Sequence, residues 1–254
     1  MDRDYYAEYY RIEDRHWWFV GRRELFLRTL DQALAGGEKE GLAGARQVLD
    51  VGCGTGTMLT HLERYGEATG VDMDADAVTY CRERGLQRVT QISAPPWPLA
   101  DAAFDVVTLL DVLEHADDDV GLLREIRRVS KPGALVMISV PAYRFLWGPQ
   151  DEISHHKRRY RAHQLENVIS RAGLVAERVS YFNTLLFPPI AAIRLLRHLL
   201  PRPRELRSDF NVAVNPVLNR VLAGVFAQER RIVPIVRLPV GVSILALARH
   251  PLGS

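Results

Sequence analysis

The chain has 254 residues, 47% of them apolar and 25% charged, with a net charge of +2. That suits one soluble α/β domain with a buried core. Its two cysteines, Cys53 and Cys81, exclude a disulfide framework and a cysteine metal cluster, and predict a reduced, cytoplasmic compartment. The N-terminus carries acids and tyrosines where a signal peptide would need a basic start and an apolar run. The longest apolar run, Leu185 to Ile193, holds two prolines and is too short to cross a bilayer.

In chain order, residues 1–45 predict a helical extension, with Trp18, Leu25, Thr29 and Ala33 at helical spacing and a stop at Gly36-Gly37. Strands and helices then alternate: strand Gln47–Val51, helix Met58–Tyr65, strand Ala68–Val71, helix Asp74–Arg84, and a weaker strand Arg88–Ile92. Strand Phe104–Leu110 follows, then a helical stripe from Val120 to Val129 ended by Lys131-Pro132-Gly133. Strand Ala134–Val140 and helix His163–Arg171 complete the series. Near-continuous apolar strands joined by helices predict a parallel sheet buried on both faces. Two last strands, Ala176–Tyr181 and Val240–Ala248, flank an interruption at 185–239 that we read as an insertion. The expected organisation is one domain: a cap (1–45), a core (46–184), the insertion and a final strand (240–249).

Chemistry concentrates first at Val48-Leu49-Asp50-Val51-Gly52-Cys53-Gly54-Thr55-Gly56-Thr57. An apolar strand enters a turn with three glycines and then a helix. Glycines suit a place where a ligand touches the backbone, and the helix start offers free N–H groups to an anion. The spacing is G-x-G-x-G rather than the dinucleotide G-x-G-x-x-G, which turns the reading away from NAD. Asp72 follows 16 residues after Gly56. A carboxylate at the end of a second strand can accept both ribose hydroxyls, or it can cap the next helix, a part that Asp74 suits better.

These residues, with Val71-Asp72-Met73-Asp74, Phe104-Asp105-Val106-Val107, Asp111-Val112-Leu113-Glu114-His115 and Lys131-Pro132-Gly133, run in register over some 90 positions. In this the chain resembles the class I, Rossmann-like S-adenosylmethionine-dependent methyltransferases, especially the small-molecule and quinone-type group. The resemblance implies a seven-stranded, mostly parallel sheet with helices on both faces, an N-terminal helical extension and a helical insertion between the last two strands. It implies S-adenosylmethionine as cofactor, held by Gly52, Cys53, Gly54 and Gly56, with Asp72 and Met73 at the ribose and Asp111-Val112 near the methionine end. Asp50 would orient the glycine loop or reach the amino group. Relatives often place an acid after the third strand to meet the adenine amine; this chain has Ile92-Ser93-Ala94-Pro95, leaving Ser93, Ala94 or the backbone for that contact.

Two segments suit an acceptor. His16-Trp17-Trp18-Phe19 with Arg22-Arg23, preceded by Tyr5, Tyr6, Tyr9 and Tyr10, reads either as a packed helix or as a lid whose Trp18 excludes water and whose Arg22 meets an anion. His155-His156-Lys157-Arg158-Arg159-Tyr160-Arg161 reads either as a solvated basic turn or as an acceptor loop at the carboxyl ends of the strands. It resembles a stretch in bacterial methyltransferases of sugars, lipids and secondary metabolites. That match makes His156 the leading base, with Tyr160 and Arg159 beside the acceptor and His115 the alternative base. No metal site is expected, because adjacent His155 and His156 would point to opposite sides of an extended chain.

The expected activity is methyl transfer to O or N of a small molecule such as a glycolipid, sugar, quinone or secondary metabolite. An RNA methyltransferase and a non-catalytic cofactor-binding partner protein are the alternatives. Near-neutral total charge and the lack of an Asn-Pro-Pro-Tyr-type motif argue against nucleic acid. The segment 185–239 has nine Arg and no Lys against three acids, a net of +6. Its helical stripes (Ile190, Ile193, Leu196, Leu199, Leu200; then Val217, Leu218, Val221, Leu222, Val225, Phe226) either cover the sheet, form a homodimer contact, or make a peripheral contact at the inner face of a membrane.

Overall fold

The first strand shows why the core forms. In β1 (Arg46–Val51), Val48, Leu49, Asp50 and Val51 are all buried, as a strand covered on both faces requires. Side chains alternate between faces, so Leu49 and Val51 join one core and Val48 the other. The computed structural model describes residues 3–35, 46–199 and 215–252.

β1 lies between β2 (Gly66–Asp72) and β4 (Phe104–Leu110), all parallel. The complete order is β3-β2-β1-β4-β5-β7-β6, with β3 at Val89–Gln91, β5 at Ser130–Pro141, β6 at Val175–Phe182 and β7 at Ser243–Arg249. Only β7 runs antiparallel to its neighbours, β5 and β6. One face is covered by α5 (Asp119–Val129) and α7 (Ala162–Arg171). The other carries α2 (Trp17–Ala35), α3 (Thr57–Leu62), α4 (Ala75–Glu83) and α9 (Pro216–Ile232). The expected sheet, helical extension and insertion are therefore present.

Three local details add to the expected elements. The N-terminal extension is two helices, α1 (Arg3–Ile12) and α2, and the stop at Gly36-Gly37 lies outside the described residues. The helical stripe ends at Val129 as expected, and Lys131-Pro132-Gly133 lies in the start of β5, where Lys131 Nζ donates to the Asp105 carboxylate of β4 at 2.8–2.9 Å. In the insertion, α8 (Phe187–Leu199) and α9 divide the labour. Phe226 of α9 packs against Trp17 and Trp18 at ring distances of 6.0 and 5.7 Å. Gly21 of α2 makes room for it, since a Cβ there would come within 2.5 Å of Phe226. Yet Val217, Leu218 and Val221 of the same helix stay exposed, so only part of the predicted stripe is covered. Leu200, Pro201 and Pro203 lie outside the described residues.

Candidate functional site

β1 sends its chain toward β2 on one side while β4 sits on the other, so the loops after β1 and β4 part and leave a crevice at their carboxyl ends. A cavity of about 1390 Å³ occupies it.

The glycine loop forms its floor. Gly52, Gly54 and Gly56 have φ of +68°, +55° and +85°, a region that favours glycine. A Cβ at Gly52 would strike Val112 at 2.3 Å, whereas one at Gly54 would meet no protein atom within 4 Å. Gly54 thus opens directly to the cavity. Its N–H donates to Asp72 Oδ2 at 2.9 Å, and the Asp74 N–H donates to Oδ1 at 3.0 Å. Asp72 is buried, and burial raises its carboxyl above the ordinary range against those two hydrogen bonds. Asp74, as expected, caps α4 by accepting from the Asp76 N–H. Met73, Ser93 and Ala94 also line the cavity.

Asp50 is buried, and Thr108 donates its hydroxyl to Asp50 Oδ1 at 2.6 Å. Its bonding partner is thus on β4 rather than in the glycine loop, and Asp50 also lines the cavity, as its other expected part at the amino group requires. Burial lifts its carboxyl to about 7, with the Thr108 bond and the charge of Arg22 pulling the other way. Cys53 and Cys81 are free and buried, with sulfurs 3.8 Å apart under the loop.

The N-terminal helices close the cavity. Tyr6, Tyr9, His16, Trp18 and Arg22 line it, which favours the lid reading over simple packing. Arg22 Nη1 reaches Asp111 Oδ2 at 2.5 Å, and its guanidinium lies over the rings of Trp18 and Phe26. Asp111 has φ +56° and takes the Ser139 hydroxyl at 2.8 Å, so its strained backbone is held from β5. Sequence reasoning missed Glu13. This buried carboxylate accepts from the Thr55 hydroxyl and pairs with Arg84, which also donates to the Thr55 carbonyl at 2.7 Å. The lid is thereby fastened to the glycine loop. The only hint was an acid placed just before the helix of the tryptophans.

At the opposite wall, His156 lines the cavity with its Nδ1 2.9 Å from Asp151 Oδ1. Arg159 grips both Asp151 oxygens at 2.7 and 2.9 Å and donates to the Ala142 carbonyl. It lines the same cavity as His156, with these donors turned to Asp151 and Ala142. Burial raises the Asp151 carboxyl, but His156 and Arg159 outweigh burial and hold it at about 2. The place expected of Tyr160 beside the acceptor is corrected. Tyr160 is buried in the core, its hydroxyl turned to Asp119 Oδ2 at 3.0 Å and away from the cofactor cavity. His115 packs edge-on to His156 at 4.8 Å, and burial, then His156, lowers it to about 4.

The expectation of no metal set also changes. His155 and His156 do not decide it; Glu114, His115 and His156 do, each with a ligand atom within 4.8 Å of the others. Both Glu114 oxygens are buried without a hydrogen-bond partner, and burial holds its carboxyl well above the ordinary range. This trio could hold a metal ion, and loops distant in sequence bring it together.

Residues 49–138 match the family model of a methyltransferase domain. That segment, which holds the glycine loop, Asp72 and Asp111, is thus similar to the methyltransferase domain. It is 36% identical over 105 residues to a ubiquinone biosynthesis O-methyltransferase of Xanthomonas oryzae, a match over 39% of this chain and 44% of that protein. A probable S-adenosylmethionine-dependent methyltransferase of Mycobacterium tuberculosis is 34% identical over 137 residues, or 52% of this chain and 49% of that one. The matched stretch thus spans about half the length of these relatives. The fold is shared with phosphoethanolamine N-methyltransferase 2 of Haemonchus contortus, solved with S-adenosylmethionine (TM-score 0.53, 19% identity, 87% of this chain and 52% of that one). The residues of this site fit the cofactor of such domains, S-adenosylmethionine. Gly54 leaves open the space a Cβ would fill, Asp72 lies buried at the end of β2, and Asp111 stands with Arg22 at the end of β4.

Proposed function

We propose that this methyltransferase methylates an oxygen or nitrogen of a small molecule, with His156 as the general base. The bound cofactor supplies a methyl group on a positive sulfur, open to in-line attack. The chain's own residues do the rest. Asp72 accepts from the ribose hydroxyls, while Arg22 and Asp111 offer opposite charges to the carboxylate and ammonium of the amino-acid end. Arg159 fixes Asp151, and Asp151 fixes the His156 ring. A carboxylate at Nδ1 keeps the proton on that nitrogen and leaves Nε2 to take one from the acceptor, the logic of an oriented base. The aromatic lid excludes water.

The observation that carries this reading is His156 on the wall of the cavity, its Nδ1 held from behind by the buried Asp151. An acceptor hydroxyl needs such a base, which agrees with the relatives named as O-methyltransferases. A sugar, a quinone precursor or a secondary metabolite would supply one. The test is transfer of a labelled methyl group into a metabolite extract. His156→Ala should lower transfer by roughly 10²-fold or more, the usual weight of a general base, with unchanged affinity for S-adenosylhomocysteine. Transfer at the normal rate would remove His156 from the role.

A further inference from the structure

The insertion leaves an apolar surface around the cavity's opening. Ile193 of α8 and Leu218 of α9 line the cavity and are still 51% and 41% exposed. They therefore stand at its mouth. Just outside, Leu195 and Leu196 of α8 and Val217 and Val221 of α9 turn more than half of their surface to solvent. Both helices line the same cavity, so these residues flank one opening, and exposed apolar surface at a cavity mouth marks interaction sites. The charge on the described part of 185–239 is mostly positive, six Arg against one acid, the buried Glu229, and Arg197 on α8 and Arg220, beside Val217 and Val221 on α9, are exposed. No described helix is long and apolar enough to cross a membrane.

We propose that the outer faces of α8 and α9 dock the protein on an anionic bilayer surface, so that the acceptor is an amphiphile entering the cavity from the lipid. This deepens the methyl-transfer reading and rests on it for the acceptor alone. Outward leucine and valine flanked by arginine is the pattern of a helix lying in the interface, its apolar face among acyl chains and its cations among head groups. Nucleic acid would satisfy the arginines and leave the leucines in water. A second copy of the chain would satisfy the leucines but bring two arginine-rich surfaces together, a like-charge contact that is costly. A lipid surface meets both demands. The mouth then faces the bilayer, and a tail-anchored acceptor presents its polar head to the cofactor without leaving the membrane.

The full chain should be sedimented with vesicles of phosphatidylcholine, with and without phosphatidylglycerol, at low and high salt. It should pellet with the anionic vesicles and be partly released by salt. The double variant Leu196→Glu, Val217→Glu puts acid on both exposed faces and should cut the bound fraction about ten-fold or more. Arg220→Gln should weaken binding to anionic vesicles about five-fold, the weight of one basic side chain at the surface. Calorimetry with S-adenosylhomocysteine should be unchanged in both variants, which separates this surface from the cofactor site. Retention in the supernatant under every condition would overturn the proposal. So would equal pelleting of the double variant, or a solution dimer that the same variant dissolves.

Discussion

Arg22 and Asp111 meet at 2.5 Å across the cavity, one from the N-terminal lid and the other from the end of the fourth strand. Their side chains are largely shielded, at 15% and 27% exposure, and the aromatic rings of Trp18 and Phe26 flank the cation. The pair therefore ties the N-terminal helices to the loop after β4, where the proposed function puts the amino-acid end of the cofactor. It also presents the two charges that a free amino-acid group needs.

Removing the cation should be felt as lost binding. Arg22→Ala is expected to weaken affinity for S-adenosylhomocysteine by roughly 1–3 kcal/mol, the range for a charged hydrogen bond. Titration calorimetry reads this directly. An unaltered affinity would mean that the amino-acid end is held without Arg22.

Asp72 has a second anchor besides any ribose. It accepts from the Gly54 and Asp74 backbones, so Asp72→Ala should loosen the glycine loop as well as remove the hydroxyl acceptor. A loss of roughly 1–3 kcal/mol in cofactor affinity is expected. Hydrogen exchange at residues 52–56 should rise in the ligand-free variant. Full affinity with native exchange would show both parts of the assignment to be wrong.

Two glycines two residues apart should fail in different ways. Gly54→Val adds a side chain to open cavity, so the variant should fold and lose the cofactor. Gly52→Val drives a Cβ to 2.3 Å from Val112 and should lower the melting temperature itself, as overpacking costs about 1–3 kcal/mol. Both positions also carry left-handed strain. Thermal melts and calorimetry on the same two proteins distinguish the outcomes. Equal cofactor affinity in Gly54→Val and wild type would contradict the placement of the ligand.

Asp50 makes stability depend on pH. Burial raises its carboxyl from an ordinary 3.8 to about 7, so the folded state holds this proton more tightly than the unfolded chain. The contribution of this group to stability is largest at low pH and is lost as pH rises through about 7. Asp50→Asn keeps an oxygen for the Thr108 hydroxyl and removes the buried charge. Ligand-free Asp50→Asn should be more stable than wild type at pH 8, by roughly 2–4 kcal/mol. The gap should narrow toward pH 5. A pH-independent difference would show that the Asp50 charge costs nothing in the fold.

The local chain determined the alternation of strands and helices, the glycine turn, the Asp74 cap and the place of Asp72. Each of these is decided by residues within a few positions: apolar runs form strands, glycine takes left-handed turns at little steric cost, and a carboxylate at a helix start finds N–H groups beside it. Tertiary structure decided the acceptor wall. His156, Arg159 and Tyr160 are near neighbours in the chain, yet the first two line the cavity, the second while gripping Asp151, and the third is buried on Asp119. A left-handed residue at His155 turns the backbone just before this stretch, and burial then favours partners for each polar atom. The Arg22–Asp111 pair and the Glu114–His115–His156 trio arise in the same way. Arg22 is far in sequence from Asp111, and Glu114-His115 lies some forty residues before His156, so only packing at the sheet's carboxyl ends brings them within reach.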